Sequence, residues 1–379
     1  MISLRWPQVN AWRLSQHCLN PRLPGKQLIH AVKRTGGIQA QVMSAAEMAI
    51  GARVNGISPQ DVQAALWEDR SLIKTWAMRA ALHLITAQDF AIYVSARSLS
   101  DTRNWPYYFS YHGIDQATFS QYLSLAPEIL TDHPITRHQF AAAVSGRLDS
   151  PKLYELLTTK GWGTPLKPLA WRGDLCFGPN LGQNVTFVRP SAWIGSWQPV
   201  EPYVALQEVL RKYLYAFGPA TLEDFTLWWS ARIRPARKLF ESMADELEKV
   251  DIEGWKAWAL RDTLEPIQNI TAAGGAINLL PLFDALLMGL GRGQEIEPLI
   301  SMAYQKHVFR PQGWISAVVL VDGQIKGTWE YKIHLDEITL KVKLFCTLSP
   351  KLNEGIAAEA ERLGRFLNKK VLLVLSTID

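Results

Sequence analysis

Two glutamines stand one residue apart in the segment TGGIQAQ, at Gln39 and Gln41, directly after the glycine pair Gly36 and Gly37. An amide side chain neither gives nor takes a proton near neutral pH, so it is a poor acid, base or nucleophile. It does offer a carbonyl acceptor and two N–H donors. In an extended segment residues i and i+2 project to one side, so both amides would share a face and Ala40 would turn to the core. Together they can hold a water and orient it. Gly36 and Gly37, lacking side chains, leave room for another backbone to approach. Polar residues are common in loops, so composition alone leaves two readings open. One is an ordinary loop; the other is an active site that works without a conventional base.

The elements that must position this pair form a pattern that recurs three times. In the first copy KQLIHAVKR reads as a helix, with Leu28, Ile29 and Val32 on one apolar face. SAAEMAIGARV is a second helix, with Ser44 and Glu47 spaced as a capping box. SPQDVQAALW is a third, with Ser58 as N-cap and Pro59 at the first helical position. Two extended runs, SLIKTWAM and ALHLIT, complete the order of a winged helix. The second copy repeats it with DQATFSQYLSLAPEIL, TRHQFAAAV, SPKLYELLTTKG and the strands GDLCFG and NVTFVRP. The third has EPYVALQEVLRKYLYAFG, ending at Gly218 as a C′ residue, then ATLEDFTLWW, IRPARKLFESMADEL and a hairpin around DIEGW. Beyond these, alternation around Asp322-Gly323 marks another hairpin. EITLKVKLFCTL, NEGIAAEAERLGRFLN and KVLLVLS then read as strand, helix and strand. The expected fold class is α+β. It has three tandem winged helices, at 1–114 (carrying the Gln-Ala-Gln segment), 115–198 and 199–264, and a β-barrel-like α+β module at 265–379.

A chain of 379 residues with 48% hydrophobic and 20% charged content is ordinary for a globular protein of several modules. No apolar run reaches membrane-spanning length, and Met1 to Trp12 lacks the apolar core of a signal peptide. The expectation is a cytoplasmic protein with no membrane partner. Cys18, Cys176 and Cys346 are too sparse for a disulfide framework. No CxxC, HxxxH or HExxH spacing occurs, so neither metal nor cofactor is expected.

The net charge of +5 and basic clusters at Lys33 and Arg34, and at Arg232, Arg234, Arg237 and Lys238, fit a polyanion partner. A winged helix usually lays its third helix in the major groove. That helix in the first copy offers Gln60, Asp61 and Gln63 but no Arg or Lys before Arg70, which is poor for base reading or phosphate contact. The first copy is therefore adapted to something else. The rival readings are a non-catalytic winged-helix regulator, which should present base-reading Arg or Asn there, and a protein-docking module.

The segments GGIQAQVMSAAEMAIGARV and LWEDRSLIKTWAMRAALHLI resemble the AlkZ-like family of bacterial winged-helix DNA glycosylases. The likeness continues through LLPLFDALLMGLGRG and VFRPQGWISAVVLVDGQIKGTW, so it covers nearly the whole chain. Its catalytic signature, Gln-Φ-Gln, is matched by Gln39, Ala40 and Gln41; the sister AlkX group has Gln-Φ-Asp. The resemblance implies a C-shaped arrangement of the three winged helices and the C-terminal module. It also implies excision of N7- or N3-alkylated purines from double-stranded DNA, bulky adducts and interstrand crosslinks included. A monomer acting at the bacterial nucleoid is expected. Such a purine is cationic, so its glycosidic bond is already labile and the base leaves neutral. What remains is to place a water against C1′ and to stabilise a developing oxocarbenium ion, which positioning and oriented dipoles can do. On this reading Gln41 holds the water and Gln39 orients it or contacts the sugar. A bifunctional mechanism would need an activated amine. Lys33 and Lys74 are the local candidates, and nothing marks either as desolvated, so a monofunctional enzyme is expected.

Arg79 and His83 are expected on the second wing strand of the first copy, on one face. The family stretch commonly reads Arg-Gly-Thr-x-His, and here Ala80 and Ala81 replace the small pair. For His83 a DNA contact and a hydrogen-bonded histidine beside the core both stay open; Trp76 is expected to pack. Lys33, Arg34, Arg172, Arg189 and Arg310 complete the expected DNA contacts, the last three at strand ends. LLPLFDALLMGLGRG departs from the family's Tyr-Arg-Asp-Arg ending, leaving only Arg292.

Overall fold

Asp322 (φ 50°) and Gly323 (φ 81°) both take left-handed conformations and close a tight hairpin between the strands Val318–Val321 and Gln324–Ile333, as an Asp-Gly pair predicts. The structure, a computed structural model, describes residues 2–99, 105–159, 161–272, 274–291, 296 and 298–378. The chain forms two units, one made of Met1–Gln63 with Leu210–Asp379 and the other of Ala64–Val209. The division falls inside the helix Pro59–Trp67.

In the first unit the hairpin is the middle of a five-stranded sheet. Its order is Ile277–Leu280, Val318–Val321, Gln324–Ile333, Glu337–Leu344, Lys370–Thr377. The first four strands are antiparallel and the last is parallel to its neighbour. A parallel join needs a long crossover, which the helix Pro350–Leu367 supplies, with Ser349 as its N-cap. Alternation along Glu337–Leu344 buries Ile338, Leu340, Val342 and Leu344 in a core shared with Ile356, Ala360 and Leu363 of that helix. Glu337, Lys341 and Lys343 stay exposed. The expected barrel-like closure is not present among the described residues. The sheet is open, with Ile277–Leu280 and Lys370–Thr377 at its edges. The physical reason is the crossover: a helix, not a returning layer of strands, covers the apolar face.

The same unit holds the helices Leu222–Trp229 and Ile233–Ser242, followed by the paired strands Leu247–Ile252 and Trp255–Leu260. Thr221 and Asp224 cap the first helix reciprocally, as their spacing predicts. A strand not anticipated, Ile2–Leu4, runs parallel to Leu247–Ile252. Gly218 follows the helix Pro202–Phe217 but is not left-handed. A Cβ there would lie 2.3 Å from the Leu214 carbonyl oxygen, so close backbone approach, not cap geometry, demands glycine.

The second unit contains the antiparallel strands Leu72–Trp76 and Leu82–Thr86. It also holds the helices Gln116–Ile129, Arg137–Arg147 and Pro151–Thr159, and a sheet of Ile135–Thr136, Asn184–Val188 and Cys176–Leu181. Its core gathers Phe109, Phe119, Tyr122, Phe140 and Phe187. Trp76 packs against Phe177 with ring centroids 4.8 Å apart. The helices Phe90–Leu99, Trp105–Tyr111 and Lys167–Arg172 were not anticipated. Among the described residues no helix is long and apolar enough to cross a membrane.

Candidate active site

The glycine pair ends a helix. Gly36 (φ 69°) and Gly37 (φ 105°) follow the helix Leu28–Arg34. The Gly36 N–H donates to the Lys33 carbonyl at 3.2 Å and the Gly37 N–H to that of Val32 at 3.1 Å. These are the two bonds of a Schellman cap, which requires a left-handed residue at its first position. The chain leaves this cap as the short strand Ile38–Gln39. Ile38 and Ala40 are buried and Gln39 is only 9% exposed. The extended run stops there, and Gln41 sits exposed at a bend. Ala40 faces the core as expected. The shared-face argument does not reach Gln41, because regular extension ends at Gln39.

The helix Met43–Gly51 begins directly after this bend. Its N-cap is Val42, which offers no side-chain acceptor, so the Ser44–Glu47 capping box is absent. Glu47 instead accepts a hydrogen bond from Gln63, which ties down a residue expected on the recognition helix. The positive end of the helix dipole thus begins two residues after Gln41, with no side chain of the N-cap residue satisfying it.

Lys33 is exposed, whereas Arg34 donates to the Ser15 carbonyl at 3.0 Å and to Gln16 Oε1 at 2.9 Å. Arg34 therefore ties its helix to the preceding one. Partial burial, then the charges of Arg34 and Lys33, push the His30 pKa down. Lys74 lies over the Phe177 ring at 5.3 Å, a contact that uses its charge.

In the second unit Arg79 is not on the strand. It sits in the turn Met78–Ala80 with φ 54°, next to Ala80 at φ 53°. His83 is on the strand Leu82–Thr86 and is 2% exposed. Its Nδ1 lies 2.9 Å from the Ala81 carbonyl oxygen and so carries the proton it donates there. Nε2 is then an acceptor, 3.4 Å from Arg79 Nη2. Burial first, then the Arg79 charge, lowers the His83 pKa from 6.5 to about 3. His83 is thus a neutral group of the interior, and Arg79 beside it is half-buried.

Because the folded value lies below the unfolded one, the unfolded chain takes up protons first as pH falls. The stability contributed by a neutral His83 is complete above pH 6.5 and is lost from there toward pH 3. Melting temperature should drop between pH 7 and pH 5, and His83→Gln should flatten part of that drop. Identical pH slopes in the two proteins would sink this assignment.

What decides the family is the extent of the match. A family model described as DNA glycosylase AlkZ-like covers residues 32–366, from the helix before the glutamines into the helix Pro350–Leu367. The chain belongs to the AlkZ-like DNA glycosylases. It is 37% identical over 332 residues to the interstrand DNA cross-link repair glycosylase of Streptomyces sahachiroi, covering 86% of this chain and 87% of that protein. The solved structure of Streptomyces sahachiroi DNA glycosylase AlkZ matches with a TM-score of 0.86 at 34% identity, over 98% of this chain and 100% of that one. Membership makes this AlkZ-like protein an enzyme that acts on DNA and sets aside the regulator and docking-module readings.

The remaining expected contacts of this AlkZ-like chain separate clearly. Arg172 ends the helix Lys167–Arg172, not a strand, and pairs with Asp174 at 2.9 Å. Arg189 follows the strand Asn184–Val188 and is half-buried, donating to the Pro127 carbonyl at 3.1 Å. Arg310 follows the helix Met302–Val308 and is exposed. Arg292 lies outside the described residues. Among the described residues no His, Cys, Asp and Glu side chains gather as a metal site.

Proposed function

We propose that this protein is a monofunctional DNA glycosylase that hydrolyses the N-glycosidic bond of cationic N7- or N3-alkylated purines. Its substrates include bulky adducts and, in line with the name of its Streptomyces sahachiroi relative, interstrand crosslinks. The observation that carries the reading is the placement of the glutamines. Gln39 is anchored at the end of a buried strand, and Gln41 is exposed at the bend beyond it, in the two outer positions of the family's signature. Gln41 holds the attacking water and Gln39 fixes its direction or contacts the sugar. As the C1′–N9 bond breaks, its electron pair moves to the purine and cancels the positive charge. The water oxygen bonds to C1′ and its proton passes to solvent. The products are an abasic sugar and a neutral alkylated base. No group has to protonate the leaving base, which is why amides suffice.

A monofunctional course is supported by the exposure of Lys33 and by the charge-bearing contact of Lys74 with Phe177. In this reading the helix-and-hairpin runs at 1–114, 115–198 and 199–264 act as three winged helices, with 265–379 as a fourth module. The monomer acts on duplex DNA in the bacterial cytoplasm, with Lys33, Arg79 and Arg310 toward phosphate.

The test is base release from three duplexes, carrying N7-methylguanine, unmodified guanine or an N7-linked interstrand crosslink. Release of the methylated base without the unmodified one is expected, with strand separation of the crosslinked duplex. Comparable release of unmodified guanine would exclude the amide mechanism.

A further inference from the structure

The open sheet carries a second basic surface, remote in sequence from the glutamines. A cleft of about 750 Å³ lies on the first unit and is lined by Lys306, Arg310, Lys341 and Lys343, with Glu330 as the one carboxylate among the described residues that line it. Register fixes two of the cations: Lys341 stands opposite Glu330 and Lys343 opposite Thr328. They alternate with Leu340, Val342 and Leu344, which are buried in the core shared with the helix Pro350–Leu367, so the lysines face away from that helix. Lys306 comes from the last turn of the helix Met302–Val308. Arg310 stands at the base of a tight turn in which Gln312 (φ 61°) and Gly313 (φ 78°) reverse the chain. The Arg310 N–H donates to the Trp314 carbonyl at 2.8 Å. That turn presents Trp314, 45% exposed, with its ring against Phe283 at 5.0 Å. All four cations are exposed.

We propose that this surface is a second DNA-strand site. Its lysines and Arg310 neutralise backbone phosphates, and Trp314 receives an unstacked base. Clustered cations beside an exposed aromatic side chain are the pairing by which single-stranded nucleic acid is held, and each cation supplies the counterion-release part of affinity. An acidic peptide would use the charges but gives no reason for an exposed indole supported from below. A lesion whose strands are parted or joined is the substrate that needs a strand held outside the catalytic segment. The proposal rests on DNA being the enzyme's substrate and not on the roles given to Gln39 and Gln41.

The test measures binding of labelled, undamaged DNA by fluorescence anisotropy across a salt series, on a fully paired duplex and on one with a single-stranded overhang. Lys341→Gln/Lys343→Gln should weaken the overhang DNA about tenfold and flatten the log K against log salt slope by about 1.4, the share of two single-strand phosphates. Trp314→Ala should weaken the overhang DNA about tenfold while leaving the slope unchanged, and Trp314→Phe should restore most of the loss. Lys341 and Lys343 are exposed, so the melting temperature of the lysine variant should match wild type, and Trp314→Phe keeps a ring against Phe283 as the control for packing. Unchanged affinity and slope in the lysine variant would overturn the site. So would binding of polyglutamate through the same lysines as tightly as DNA. Because undamaged DNA is used, the outcome is independent of base release, and failure of the glutamine mechanism would be seen separately.

Discussion

Replacing Gln39 and Gln41 together by alanine is expected to lower single-turnover release of N7-methylguanine by about 100- to 1000-fold, the scale of losing preorganised hydrogen-bond partners at a transition state. Under the proposed mechanism both amides act on one water, so their effects should not add, and each single variant should lose most of what the double variant loses. Stability separates them. Gln41 is exposed, and Gln41→Ala should leave the melting temperature unchanged. Gln39 is 9% exposed at a strand end, so Gln39→Ala opens space in the interior and should cost about 1–2 kcal/mol. Affinity for undamaged DNA should stay within about threefold, since phosphate contacts dominate it. Single-turnover conditions matter, because slow product release would hide a chemical step. If the folded double variant releases the base within tenfold of wild type, the water-positioning role is wrong.

Local chemistry was legible in the sequence, and long-range partners were not. The Asp322-Gly323 hairpin and the Thr221–Asp224 cap follow from a few neighbouring residues, and both are present. Ser44 and Glu47 had equally good spacing for a cap. The bend at Gln41 starts the helix at Met43 instead, and Glu47 is engaged by Gln63. Arg79 could not be placed from propensity, because two successive left-handed residues without glycine are held by their surroundings rather than chosen by the chain. Arg34 has the type and neighbours of a phosphate contact, and its bonds to the preceding helix depend on partners that local sequence does not place beside it. The glutamines stood out by type, but their unequal exposure depends on where a two-residue strand stops. Lys341 and Lys343 carried no signal of their own, since alternating lysines on a strand look like any solvated face. Only the fold sets them beside Lys306 and Arg310.

Asp284→Ala is expected to destabilise the protein by about 3–5 kcal/mol, enough to consume much of the stability of a typical domain. Asp284 and Arg53 have fully buried side chains and form a two-pronged ion pair, Nη1 to Oδ2 at 2.7 Å and Nη2 to Oδ1 at 2.8 Å. Arg53 also donates to the Ala49 carbonyl at 2.8 Å, and Asp284 accepts the Leu286 N–H at 3.0 Å as cap of the helix Ala285–Met288. His17 Nδ1 lies 3.3 Å from Arg53 Nη2. Burial, then the Arg53 charge, drives its pKa well below the usual range, so it stands as a neutral acceptor and gives Arg53 no compensating charge. Without Asp284 a guanidinium would remain in the interior unopposed. Asp284→Asn keeps the cap acceptor and the shape while removing the charge, so a similar loss in both variants would assign the cost to charge rather than capping. Arg53→Met/Asp284→Leu removes both charges and should recover most of the loss, because desolvation offsets much of a buried pair's attraction. Recovery in the double variant and loss in the single ones distinguishes an uncompensated charge from a simple packing defect. Arg53 lies just past the helix Met43–Gly51, whose opposite end follows Gln41. The pair therefore holds that helix without touching a reactant. At a temperature where Asp284→Asn is still folded, release of N7-methylguanine should stay near wild type. Lost release in the folded variant would show that the helix must be held more tightly for chemistry than for folding.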